Sequence, residues 1–161
     1  HLAFSAALYQ SKHDEIGSGR DAIRVFDPSV RKDGPVVGET LQWIEQHTRA
    51  EDTMLVLPEG VMLNYLARRV NPTRYINFMP PELAVFPETA VITALEARPP
   101  DFIVVVHKDT TEYGVPFFGM DPVYGKTIMD WVNRYYHEAA IFGSEPLRSQ
   151  AFGIKVMERT R

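Results

Sequence analysis

Thr53-Met54-Leu55-Val56-Leu57-Pro58-Glu59-Gly60-Val61-Met62-Leu63-Asn64-Tyr65-Leu66 decides how this chain is read. Residues 53–57 are apolar on consecutive positions, so both faces of a strand there are buried. Pro58 ends the run and Gly60 frees the backbone to turn. Val61, Met62, Tyr65, Leu66 and Arg69 then recur at helical spacing. Asn71-Pro72 stops that helix, predicted over 61–70. A strand, a tight turn and a helix open a βαβ unit. In open α/β sheets the carboxyl ends of the strands are where ligands bind. Pro58-Glu59-Gly60 lies at such an end.

Residues 102–106, Phe-Ile-Val-Val-Val, form the most emphatic strand in the chain. The run is short, β-branched and continuous, the pattern of a central parallel strand. Between the two runs, residues 74–79 read as a further strand and 88–97 as a helix with Val91, Ile92 and Leu95 inward. A turn of helix is expected at 82–86. Upstream, 35–47 is a helix with Val37, Leu41 and Ile44 as its apolar stripe. Residues 22–26 alternate weakly, as an edge strand would, and 11–21 and 27–38 read as loop. A short helix is expected near the amino end. Downstream, 125–136 is a helix, 138–142 a strand, and 151–157 alternates as a final antiparallel edge strand does.

Helices and strands therefore alternate along the chain. The expected fold is α/β: a three-layer αβα sandwich, Rossmann-like or flavodoxin-like, with about five mostly parallel strands and an antiparallel strand last. Residues 1–34 read as a helical and loop lead-in, and 35–161 as one α/β domain.

Composition narrows the function classes. With 161 residues and 45% hydrophobic side chains, the chain can bury a real core. Seventeen basic residues against 21 acidic ones give a net charge of −4, which argues against a nucleic-acid surface. The absence of cysteine removes disulfides, thiolate metal sites and thiol nucleophiles. No apolar stretch reaches the ~20 residues a membrane helix needs. There is no P-loop, no G-x-S-x-G elbow, no metal-ligand spacing, and Gly17-Ser18-Gly19 lacks the dinucleotide fingerprint. No cofactor and no catalytic residue are assigned.

If the runs at 53–57 and 102–106 are neighbours, Glu59 and His107-Lys108-Asp109 face one crevice. Glu59 has two readings, a crevice carboxylate or a group that satisfies the helix amino terminus behind it. His107 and Asp109 could serve in acid–base or metal chemistry; alternatively His107 closes the strand end and Asp109 makes a turn with Thr110 or Thr111. Residues 107–124 form a long loop of glycine, proline and aromatics, a length usually reserved for function. In it Tyr113 and Phe118 could stack on a sugar ring while Asp109, Glu112 and Asp121 accept its hydroxyls. The competing reading is a lid that buries Phe117 and Phe118. Trp43 and Trp131 read as core.

The stretch 57–72, Pro99-Pro100 with 101–109, Glu112-Tyr113-Gly114, Phe118-Gly119 and Tyr124-Gly125 together resemble segments of bacterial multi-spanning glycosyltransferases. These are the dolichyl-phosphate-mannose-protein mannosyltransferase-like membrane proteins, and the resemblance spans about 35–145. It implies a soluble carboxyl-terminal domain on the extracytoplasmic, periplasmic face of the inner membrane. Such enzymes move a sugar from a polyprenyl-phosphate donor, and their catalytic carboxylate lies between early membrane helices. No residue of this chain matches it. The resemblance therefore implies a non-catalytic domain that helps recognise a glycan or polyprenyl-linked acceptor, or assembles with the membrane-spanning part of the same polypeptide. Asn64, within the resembling stretch, is a further candidate ligand-binding residue. The alternatives are a free-standing α/β enzyme using Glu59, His107 and Asp109, and a small-molecule-binding module with its site at the same sheet edge.

Overall fold

The computed structural model describes residues 2–17, 19–120 and 122–160. The chain begins with helix α1 (Leu2–Gln10) and an antiparallel ribbon of β1 (Asp14–Ile16) and β2 (Ile23–Val25). Then follow α2 (Asp33–His47), β3 (Met54–Leu57), α3 (Val61–Ala67), α4 (Pro80–Val85) and α5 (Glu88–Ala97). The second half holds β4 (Phe102–Val106), α6 (Lys126–Tyr135), β5 (Tyr136–Gly143) and β6 (Gly153–Arg159).

The main sheet has four strands in the order β3-β4-β6-β5. β3 and β4 run parallel and side by side, from Met54 opposite Phe102 to Leu57 opposite Val105. β6 is antiparallel to both β4 and β5. The class is thus mixed α/β, with a mixed sheet instead of about five mostly parallel strands.

Two expected elements account for the difference. Residues 74–79 make no strand; Asn77 forms a single bridge to Glu59. Local side chains satisfy that backbone instead. Asn71 accepts from the Thr73 amide at 2.9 Å and donates to the Tyr75 carbonyl at 2.7 Å, and Asn77 accepts from the Met79 amide at 3.1 Å. Such bonds compete with a ladder, and Pro80-Pro81 bars any extension. The strand expected at the edge, 151–157, lies inside the sheet as β6. Ile154 and Val156 on one of its faces and Met157 on the other are buried. β5 takes the edge, with a register shift between Glu138 and Ala140. Its exposed His137 and Glu138 suit that place, since edge strands carry charge and bulges.

Alternate residues of the strands feed two cores. Met54, Val56, Phe102, Val104, Ile154 and Val156 pack under Val36 and Ile44 of α2 and Leu63 of α3. Leu55, Leu57, Ile103, Val105 and Met157 pack under Val91 and Leu95 of α5 and Ile128 and Val132 of α6. Helices therefore cover both faces, which is why β3 and β4 are oily at every position.

Each helix boundary has a local cause. The Glu88 carboxylate reaches across from α5 and accepts from the Gly125 amide at 2.8 Å and the Ile128 amide at 3.1 Å. It thereby satisfies amides that the first turn of α6 leaves open. α3 ends at Ala67, short of the expected Val70, because Arg68 turns left-handed at φ 54°. α2 starts at Asp33, two residues before Pro35, so the proline falls in the first turn where its missing N–H costs nothing.

Candidate functional site

The carboxyl edge of β3 and β4 is where the chain sends its polar loops. After Leu57 the peptide to Pro58 is cis, and the Pro58 carbonyl accepts from the Phe78 amide at 2.8 Å. Gly60 sits at φ 155°, and a Cβ there would stand 2.7 Å from Val56 Cγ1. Only glycine fits this turn without strain. The turn aims Glu59 at the loop after β4, where its carboxylate takes Lys108 Nζ at 2.7 Å. Hydrogen bonding to Glu59 raises the Lys108 ammonium above its ordinary value, against the opposing effect of burial. Glu59 makes no side-chain cap to α3; the ion pair with Lys108 engages it instead. Both side chains are partly open to water, which keeps the pair weak.

His107, the residue before Lys108, is buried. Its amide donates to the Gly153 carbonyl at 2.9 Å, and its Nδ1 accepts from the Leu147 amide at 3.3 Å. Phe117 and Phe152 meet the ring edge-on, at 5.3 and 6.4 Å between centroids. Burial pushes the imidazole below its ordinary value of 6.5, with Asp109 opposing. The ring is therefore neutral at pH 7, and the Nδ1 lone pair is committed to the 147 amide. Asp109 is exposed and accepts from the Thr111 amide at 2.9 Å, and that bond holds its carboxyl below the ordinary 3.8. This is the turn with Thr111 that the sequence allowed.

The long loop folds down. Buried Thr110 donates toward the Val115 and Pro116 carbonyls, at 3.2 and 2.9 Å. Phe118 is 1% exposed and meets Tyr124 edge-on at 5.2 Å. It is a core residue, and no face of it is open for stacking on a ligand. Glu112 and Tyr113 stand exposed in a 3-10 turn at Thr111–Tyr113. Asp121 lies outside the described residues. Asn64 is at the far end of the sheet: its Nδ2 donates to the Met54 carbonyl at 2.7 Å and the Arg69 carbonyl at 3.0 Å. It fastens the end of α3 to the start of β3 and does not join the carboxyl edge. Trp131 is in the core, and Trp43 packs edge-on against Phe102 at 6.3 Å.

The structure thus brings Glu59, Lys108, His107 and Asp109 to one edge, with Glu112 and Tyr113 on the loop beyond. A smaller polar group lies beside them. The Asn77 amide donates to Glu82 Oε1 at 3.1 Å, Glu82 Oε2 is buried without a partner, and the Tyr124 hydroxyl points at Met79 Sδ at 3.6 Å. Burial, then Glu82, pushes the Tyr124 phenol well above its ordinary value. Among the described residues no group of three or more histidine, aspartate or glutamate side chains is placed to hold a metal.

A cavity of about 360 Å³ opens on the other side of the same edge, between the β1–β2 ribbon, α2 and α3. It reaches Gly60 and Val106, and its walls include Ile23, Val25, Val37 and Leu66. Lys12, Arg24 and Arg31 also line it. Nothing in the sequence marks these three cations, because Lys12 and Arg31 stand in the stretches 11–21 and 27–38 that read as loop, and Arg24 stands in the weak edge strand 22–26. The spacing of Ile16, Ile23 and Val25 was the one signal of a ribbon with an apolar side. At the amino end of the sheet a polar cleft of about 640 Å³ is lined by His47, Arg49, Asp52, Asp101 and Arg159. Burial alone would raise the Asp52 carboxyl there, but the Arg49 amide and guanidinium pull it below 3.8. Comparison with family models, with curated proteins and with solved structures found no match for this chain.

Proposed function

We propose that this chain is a non-catalytic domain of a membrane glycosyltransferase that uses a polyprenyl-phosphate sugar donor. On this reading it sits on the periplasmic face of the inner membrane, next to the membrane-spanning part of the same polypeptide. There it helps recognise a glycan or polyprenyl-linked acceptor, or assembles the enzyme. The observation that carries the reading is α1. Its sequence, LAFSAALYQ, has no charged residue, and Leu8 and Tyr9 are 49% and 60% exposed. A helix that is apolar without a polar face belongs in a protein core or in lipid, and its described side chains, residues 5–10, are all exposed. No described helix is long and apolar enough to cross a membrane, so α1 alone is not a span.

Two further points support the reading. The residue pattern at 57–72 and 99–125 resembles that family of glycosyltransferases. The groups at the carboxyl edge are also engaged structurally: Glu59 by Lys108, His107 by the Leu147 amide and Asp109 by the Thr111 amide. A doubly wound parallel sheet is not required for this role, since the β3–β4 pair alone places the edge. The test is cell fractionation of the full gene product. It is expected in the inner membrane, resistant to carbonate extraction, with this domain cut by protease added to spheroplasts. Recovery in the soluble fraction, or protection from the protease, rejects the proposal.

A further inference from the structure

We infer that the cavity between the β1–β2 ribbon, α2 and α3 binds an amphiphile with one apolar chain and an anionic head. The apolar part of the wall is mostly aliphatic. Ile16 and Val25 come from the ribbon, Val37 from α2, Leu63 and Leu66 from α3, and Ile154 from the sheet. The volume, about 360 Å³, is within the range of small-molecule sites. At roughly 30 Å³ for a water-sized group, it has room for about a dozen such groups, enough for one chain.

Two of the lining charges lie together. Three cations, Lys12, Arg24 and Arg31, line the cavity against one carboxylate, Asp33. Lys12 Nζ stands 5.0 Å from the centroid of Phe26, and the Arg31 guanidinium stands 5.7 Å from the same ring. Two like charges thus converge on one cavity-lining aromatic. Lys12 has no carboxylate within ion-pair distance among the described residues; its interactions are with the Tyr9 and Phe26 rings. Among the described residues Arg24 pairs with Glu15 at 3.7 Å, an exposed pair of little strength. Arg31 leans on Asp33 at 2.6 Å. An anionic head seated here relieves the repulsion around Phe26 and takes the forked donors of the arginines, while its chain fills a volume that water would occupy at a loss. A phosphate or a carboxylate supplies that head.

This site does not rest on the glycosyltransferase reading. Fractionation tests the one, and the purified chain tests the other. The probe is dodecyl phosphate below its critical micelle concentration, followed by titration calorimetry and thermal unfolding of the full chain. One-to-one binding with a raised Tm is expected, and dodecyltrimethylammonium should bind at least ten-fold more weakly. Inorganic phosphate alone should leave the Tm unmoved. Dodecanoate in parallel tells a carboxylate head from a phosphate head, and binding of either supports the site. Lys12→Glu and Arg31→Glu should each weaken dodecyl phosphate ten-fold or more. Val37→Trp should abolish binding by filling the chain end. Should that variant not fold, hexyl phosphate makes the same test, with about a four-fold loss expected per methylene removed. Equal binding of cationic and anionic amphiphiles overturns the proposal. So does indifference to Lys12→Glu, or the absence of binding by either anionic probe, including absence because a second copy of the chain covers the cavity.

Discussion

Asn64 joins the start of β3 to the stretch after α3, beside the bond from the Met54 amide to the Val70 carbonyl at 2.9 Å. Its amide bonds the carbonyls of Met54 and Arg69 at 2.7 and 3.0 Å, and Met54 is 1% exposed. Asn64→Ala leaves one acceptor in a dry place, so a loss of about 1–3 kcal/mol of stability is expected. The shift of the urea midpoint at unchanged m measures it. His107 shows a second residue-scale effect, in pH. Its folded value is depressed below 6.5, so the unfolded chain binds the proton first. Stability contributed by the neutral ring is complete above pH 6.5 and is lost as pH falls toward the depressed value. His107→Asn keeps an acceptor for the Leu147 amide and cannot titrate. Its unfolding free energy should fall less steeply than that of the parent between pH 7 and about pH 5, measured by urea titration at each pH. Parallel slopes would show that His107 is not the group responsible. Asn64 falls on the helix predicted over 61–70, and His107 directly follows the strand predicted over 102–106. Only the tertiary contacts assign them to opposite ends of the sheet.

At the scale of elements, the places of β5 and β6 decide which substitutions hurt. β6 reads as an amphipathic edge because Lys155 interrupts its apolar residues. In the structure the Lys155 stem is largely covered, and its ammonium reaches Glu138 at 3.3 Å and also pairs with Glu145. A long side chain can lie along apolar surface and still place its charge among acids, so the polar letter does not mark a solvent face. Ile154→Ala should therefore cost about 2–4 kcal/mol, as for a fully buried aliphatic residue. Ile141 on β5 is 37% exposed, and Ile141→Ala should cost less than about 1 kcal/mol. Equal losses in chemical denaturation would contradict the strand order. The helices were legible because their signals act over a few residues. α5 and α6 lie within a residue of their expected bounds, as the spacing of Val91 and Leu95 and of Ile128 and Val132 required. Residues 74–79 misled because the pattern of a strand is there, with Tyr75 and Phe78 buried, but the asparagines take the backbone bonds.

For the molecule as a whole, the two cores on either side of β3, β4 and β6 make one body, and the described side chains of α1, residues 5–10, are exposed and belong to neither. Deleting Leu2–Gln10 should change the free energy of unfolding by no more than about 0.5 kcal/mol. The same deletion should abolish binding of the chain to phospholipid vesicles in flotation. A large loss of stability would instead place α1 against the domain. The β1–β2 ribbon differs from α1 in this respect. It lines a cavity with α2 and α3, and through Asp21 it engages Tyr65 and Arg68 at the end of α3. Reading 1–34 as a lead-in did not separate these two parts, because neither carries a strong periodicity.

The amino-acid sequence by itself determined the helices, the two oily strands at 53–57 and 102–106, and their shared direction. Periodicity, proline and glycine act locally, and a parallel pair joined by helices follows from continuous apolar runs. Only the tertiary structure decided that β6 enters the sheet between β4 and β5, and that Lys12, Arg24 and Arg31 gather around an apolar hollow beside Gly60 and Val106. Those outcomes depend on residues far apart in the chain, and no local pattern encodes which distant partner offers the best burial and the nearest opposite charge.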